Sequence, residues 1–313
     1  MKTFIEIVRY ALETGAREAF ILAGQSVMYR TREGLIPDST DPEKLTASHT
    51  EKLVRQALEI DARPLSRLRT EGDDQFVISL PGLSRVSISA YRQRSSYAMT
   101  LRIIPFGIPT TESLHLPKEA AALADLREGL VLIGGPSGSG RSSTLACLLD
   151  RINHRRIAHI LTIEDPIEYL FKNDLSFVSQ REVSHDTRSV AEALGAAHRQ
   201  SPDVIMISRL TGSEAWMEAA ELSASGRLVM TAVTARRASQ IIPDILMCVE
   251  ERYRDALAHL LSRELRAVIW QQLTVTPDGL MPSCEFLELD EVCRTLIAEA
   301  DTEKLLTLKS RTL

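Results

Sequence analysis

The chain has 313 residues, 44% apolar and 25% charged, enough for two ordinary domains with sizeable cores. Its net charge of −5 disfavours a general nucleic-acid binder, because phosphate affinity needs a basic face. No stretch reaches the roughly 18 apolar residues of a membrane span, and the start, Met1-Lys2-Thr3-Phe4-Ile5-Glu6, carries an acid where a signal peptide needs an apolar run.

Phe4, Ile5, Val8 and Leu12 stand at helical spacing and predict a helix over residues 1–15, with Gly15 as its stop. Leu53, Ala57 and Leu58 repeat that pattern over residues 50–60. From residue 75 to 104 the period changes to two. Phe76, Ile78 and Leu80 alternate with polar residues, Pro81-Gly82 marks a turn, and Val86, Ile88, Ala90, then Met99, Leu101, Ile103, alternate again. This predicts antiparallel strands with one wet face, in a small α+β domain covering residues 1–108. Pro105, Gly107, Pro109 and Pro117 punctuate a linker over 105–117, and a second domain covers 109–313.

In that second domain Leu130 to Ile133, His159 to Ile163, Asp203 to Ile207 and Leu228 to Val233 are short apolar runs separated by helical segments. Such runs are buried parallel strands, so the sheet is covered on both faces. Residues 251–270 and 288–310 read as helices, which predicts a helical C-terminal cap. Cys147, Cys248, Cys284 and Cys293 form no CxxC pair. Reduced, partly buried thiols of a cytosolic protein are expected, rather than a zinc site.

Between the first strand and its helix lies Gly135-Pro136-Ser137-Gly138-Ser139-Gly140-Arg141-Ser142, followed by Ser143. The spacing is that of a phosphate-binding loop, with Arg141 where a lysine belongs. The glycines let backbone N–H groups turn inward as a nest, and the helix start adds its positive dipole end. Ser142 stands where a hydroxyl ligates magnesium. A Gly-Ser turn with no ligand is the bland alternative, and the strand before and helix after argue against it. Arginine keeps the lysine's charge but is larger, planar and forked. It disturbs the loop or the phosphates, and weaker binding with slower hydrolysis is expected.

Several further segments join this loop. Arg92-Gln93-Arg94, Leu101 to Pro105 and Ile108-Pro109-Thr110 precede it; Ile163-Glu164-Asp165-Pro166-Ile167-Glu168-Tyr169, Ser179 to Val183 and Ser201-Pro202-Asp203-Val204-Ile205 follow it. Together they resemble the secretion and type IV pilus ATPase superfamily, over nearly the whole chain. The absence of a four-cysteine zinc insert, and Val292 to Glu299 near the C-terminus, are similar to its pilus-retraction (twitching motility) branch. The resemblance implies a RecA-like α/β domain with a parallel sheet, preceded by a small PAS-like α+β domain and followed by C-terminal helices. It implies ATP and Mg2+ as cofactors. It also implies a homo-hexamer or a mixed ring with a paralogous ATPase, working beside an inner-membrane pilus platform protein from the cytoplasmic face, with no nucleic acid.

The same resemblance gives roles to single residues. The phosphate cradle comprises Gly135, Ser137, Gly138, Ser139, Gly140, Arg141, Ser142 and Ser143, with Ser142 on the metal. Glu164, at a strand end on the active side of the sheet, orients water; the alternative is a solvated acid. Asp165 and Glu168 belong to the same acidic segment. Arg92 and Arg94 match arginines that reach a nucleotide at a subunit boundary, where an arginine finger stabilises charge on the γ-phosphate; the alternative is a basic strand face. Trp216 and Trp270 are expected to pack. His159 and His198 are not catalytic by position.

Two more positions depart from the pattern. Ser208-Arg209 stands where the second acidic strand should end in a glutamate, and Thr234 replaces a histidine. An arginine there repels magnesium but pairs with phosphate. Three readings follow: a motor ATPase, a pseudo-ATPase that binds nucleotide or only scaffolds an active paralogue, and, more remotely, a DNA translocase. Arg141, Arg209 and Thr234 together favour impaired hydrolysis. The acidic charge and pilus-type motifs disfavour DNA.

Overall fold

The computed structural model describes residues 2–31, 33–104, 106–276 and 279–312, so Met1 and Pro105, both named above, lie outside the described residues. The chain divides into two compact units, Met1–Gly107 and Ile108–Leu313.

The first unit opens with α1 (Phe4–Glu13). Its start is fixed by a capping box: the Thr3 side chain accepts the Glu6 N–H, and the Glu6 carboxylate accepts the Thr3 N–H. The buried stripe is Phe4, Ile7, Val8 and Ala11. Ile5, placed in that stripe by the sequence, is 42% exposed, and Ile7 takes its place one helical turn before Ala11. Three four-residue strands follow: β1 (Glu18–Ile21), β2 (Met28–Thr31) and β3 (Gly34–Pro37). They are too short to show a period in the sequence. Next come α2 (Ala47–Ile60) and α3 (Leu65–Glu71), then the long strands β4 (Asp73–Leu80), β5 (Ser84–Gln93) and β6 (Ser96–Ile104).

The six strands form one sheet in the order β3-β2-β1-β6-β5-β4, and every pairing is antiparallel. Phe76, Ile78, Val86, Ile88, Met99 and Leu101 are buried, as their alternation requires, against Leu53, Val54, Ala57 and Leu58 of α2.

The second unit begins with α4 (Lys118–Ala121) and reaches β7 (Gly129–Gly135), α5 (Arg141–Asn153), β8 (His159–Glu164) and β9 (Phe177–Glu182). It continues through α6 (Val190–Gln200), β10 (Val204–Ile207), α7 (Ser213–Ala224), β11 (Leu228–Thr234), α8 (Ile241–Cys248) and α9 (Glu251–Glu264). The chain then runs through β12 (Leu265–Thr276), β13 (Gly279–Leu287), α10 (Glu291–Ala298), α11 (Thr302–Leu305) and β14 (Ser310–Thr312).

The eight strands lie in the order β14-β13-β12-β7-β11-β10-β8-β9. From β12 to β9 all neighbours are parallel. β13 and β14 add an antiparallel edge. Alternate residues feed opposite faces, which is why the strands read as unbroken apolar runs. In β7, Leu130 and Leu132 join the core under α6, α7, α8 and α9, which includes Trp216. Val131 and Ile133 join the core under α5.

The C-terminal region differs from the expected helical cap. Residues 265–270 are strand, not helix. α9 stops at Glu264, and the chain pairs in parallel with β7 through a register shift between Leu265 and Ala267. The free edge of a buried strand, met by the β-branched and aromatic run Val268-Ile269-Trp270, overrides the helical spacing that precedes it. Residues 288–310 are likewise not one helix. Ala300 adopts a left-handed conformation between α10 and α11, and Asp301 caps α11 by accepting the Lys304 N–H.

Candidate functional site

The loop of residues 136–140 leaves the buried end of β7 and enters α5. Gly135 has φ +153, and a Cβ there would run into the Gln271 carbonyl oxygen and the Ser139 hydroxyl. Gly140, the residue before α5, has φ +88 and offers no side-chain cap. The first-turn amides of a 13-residue helix are therefore left to an outside acceptor.

Gln271 on β12, 2% exposed, grips the loop from behind. Its amide N–H donates to the Ser139 carbonyl at 2.7 Å, and its Oε1 accepts from the Thr144 hydroxyl at 2.9 Å. Sequence reading did not single out this residue, which lies one position beyond the helix expected over 251–270 and belongs to no motif. The neighbouring Trp270 is a packing residue whose Nε1–H donates to the Ala235 carbonyl at 2.9 Å.

On the loop's other side, Ser143 and Tyr169 share a hydrogen bond of 2.9 Å between their hydroxyls. That contact ties the start of α5 to the acidic segment that begins at the end of β8. Within this segment Glu164 is 4% exposed. Its carboxylate accepts from the Thr162 hydroxyl at 2.7 Å and from the Gln180 amide at 3.1 Å. It also accepts from the backbone of Glu168. Burial nevertheless pushes its carboxyl up to about 7, because desolvating the charged form outweighs those donors. Glu164 is thus not the solvated acid that was the alternative. Gln180 also donates to the Tyr169 carbonyl at 2.8 Å, which makes β9 part of the frame. The backbone N–H of Asp165, which begins a cis Asp165–Pro166 bond, donates to Ser208 Oγ at 3.1 Å.

The three unusual positions meet. Arg141, at the first turn of α5, is half-buried and donates from Nη1 to Thr234 Oγ1 at 2.8 Å. Thr234 ends β11 opposite Gly135. Burial first, and the charge of Arg209 second, hold the Arg141 guanidinium below its usual value. Arg209, just beyond the end of β10, is exposed.

Arg92 and Arg94 belong to the first unit and are exposed. Arg92 lies near the end of β5 and donates to the Arg69 carbonyl at 3.4 Å. Arg94 is not on a strand face. With Ser95 it forms the left-handed turn between β5 and β6. Cys147, Cys284 and Cys293 are buried and Cys248 is exposed, all as free thiols.

The family model for type II/IV secretion system proteins matches residues 79–309. The chain belongs to this family. Among relatives of this type II/IV secretion family, the type IV pilus ATPase PilU of Pseudomonas aeruginosa is 33% identical over 276 residues, covering 88% of this chain and 71% of PilU. The type IV pilus retraction ATPase PilT of the same organism is 34% identical over 201 residues, 64% of this chain and 58% of PilT. The crystal structure of the pilus retraction motor PilT with bound ADP superposes with a TM-score of 0.84 at 31% identity, covering 98% of this chain and 89% of that one. The fold is therefore that of a RecA-like secretion ATPase domain with a small N-terminal domain. No helix among the described residues is long and apolar enough to cross a membrane.

Proposed function

We propose that this chain is a nucleotide-binding subunit of a type IV pilus or related secretion machine, with hydrolysis impaired or lost. One observation carries the reading: Arg141, Arg209 and Thr234 lie together at the mouth of one phosphate loop. What binds phosphate is retained, in the Gly-rich turn and the open amides of α5. What governs the reacting water and the metal is altered, with a guanidinium in place of the carboxylate at Arg209 and a threonine in place of the imidazole at Thr234.

Glu164 keeps its place, and a carboxyl near neutrality suits a general base. A base alone supplies only part of the barrier reduction; charge stabilisation at the transferring phosphoryl supplies most of the rest. Assembly follows the family pattern: a ring of six copies, or a mixed ring with an active paralogue, on the cytoplasmic side of a pilus platform protein. There Arg92 and Arg94 reach a neighbour's nucleotide.

Steady-state ATP hydrolysis by the purified chain tests the reading. Turnover is expected well below the roughly 1 per second of ordinary enzymes. The double reversion Arg141→Lys with Arg209→Glu should raise it by at least about tenfold. Native turnover in the ordinary range would discard the impaired-site reading. Sedimentation of the same sample, alone and with an active paralogue, separates the homomeric from the mixed ring.

A further inference from the structure

Magnesium in a phosphate loop needs oxygen ligands, kept waters and usually one or two carboxylates. The residues here do not supply that set. Ser142 offers its hydroxyl from the first turn of α5. The position that should bring a carboxylate from the end of β10 brings Arg209 instead. Glu164 is near at the end of β8, but its carboxylate is 4% exposed and already accepts from Thr162 and Gln180. Among the described residues, the cluster of three metal-ligating side chains close enough to hold an ion is His198, Glu218 and Glu221, on α6 and α7. None of these belongs to the phosphate-loop segments.

What the site offers instead is positive charge that has no ion-pair partner among the described residues. Arg141 and Arg209 stand within electrostatic reach of one another, and the charged group acting on Arg141 is Arg209, not an acid. Arg141 uses one N–H on Thr234. Arg209 is exposed and has no hydrogen bond or ion pair with any described residue. Two like charges held together beside open helix amides are relieved by an anion of high charge density. Guanidinium forks match phosphate oxygens two at a time.

We propose that this chain holds the polyphosphate of a nucleoside di- or triphosphate without a divalent cation, with the Arg209 guanidinium supplying the positive charge that the cation would bring. This rests on the nucleotide-binding reading above. The nucleotide is then a retained ligand that sets the conformation of the subunit rather than a substrate turned over by it. Metal-free nucleotide is also the better partner, because its phosphates carry the full charge that magnesium would partly neutralise.

The test is titration of the full-length chain with fluorescently labelled ADP and with ATP, in EDTA and in excess MgCl2. Affinity in EDTA should equal or exceed that in MgCl2. Arg209→Ala should weaken binding in EDTA by about tenfold or more, the loss of one charge-assisted pair. Arg209→Lys should retain most of it, and Arg209→Glu should make binding depend on magnesium. Because Arg209 is exposed, these variants are expected to fold, which circular dichroism checks. Binding at least about tenfold tighter with magnesium, or Arg209→Ala with unchanged affinity in EDTA, overturns the metal-free proposal and leaves nucleotide binding standing. No binding in either buffer removes both.

Discussion

Glu164 carries a charge that the fold disfavours. Its carboxyl is raised from 4.5 to about 7 by burial. Between those two values the folded chain holds a proton that the unfolded chain releases, so the group's contribution to stability is present below pH 4.5 and is lost as pH rises through 7. Glu164→Gln removes the charge and keeps an oxygen for Thr162 and Gln180. It should leave stability nearly unchanged at pH 5 and raise it at pH 8, by up to about 3 kcal/mol. Thermal melts at both pH values check this, and an equal effect at the two would contradict it. The residues around the loop were partly legible in the sequence. Arg141, Arg209 and Thr234 stood out because a motif fixes what belongs at each place. Their hydrogen bond and mutual repulsion were not legible, since 93 residues separate Arg141 from Thr234.

At the scale of elements, β12 is the instructive case. Its first half followed a helix with apolar residues at helical spacing, and local pattern alone gave no reason to stop at Glu264. The reason is tertiary, namely the unpaired edge of β7. Gln271, one position past the expected helix, belongs to no motif, and its two bonds to Ser139 and Thr144 join residues far apart in sequence. Gln271→Ala strands a buried carbonyl and a buried hydroxyl. The expected loss is about 2–4 kcal/mol, with weaker nucleotide binding because the loop loses its backing. Urea unfolding followed by tryptophan fluorescence checks it. The chain's two tryptophans, Trp216 and Trp270, both lie in the second unit, so the signal reports that unit alone. By contrast β7, β8, β10 and β11 were legible, because strands buried on both faces read as near-continuous apolar runs.

For the molecule as a whole, the relevant fact is the division at Gly107. Among the described residues, the first unit has its own six-stranded sheet, three helices and a core running from Phe4 to Ile103. Residues 1–107 alone should therefore unfold cooperatively, as read by far-ultraviolet circular dichroism. A gradual, non-cooperative melt would mean that this unit depends on the other for its structure.

The electrostatic influence of Arg209 on Arg141 also bears on history. Substitutions at Arg141 and Arg209 are expected to be non-additive, because the charge of Arg209 acts on the Arg141 guanidinium. Arg209→Glu made first places an acid beside Arg141, and the ion pair that forms competes with phosphate for that guanidinium. Arg141→Lys made first leaves Arg209 facing the loop. On the impaired-hydrolysis reading proposed above, neither single step is expected to restore turnover, so the mutational route back to catalysis would pass through an unrewarded intermediate. Under that proposal the coupling acts as a ratchet: with both arginines in place, the site is expected to diverge further rather than to return.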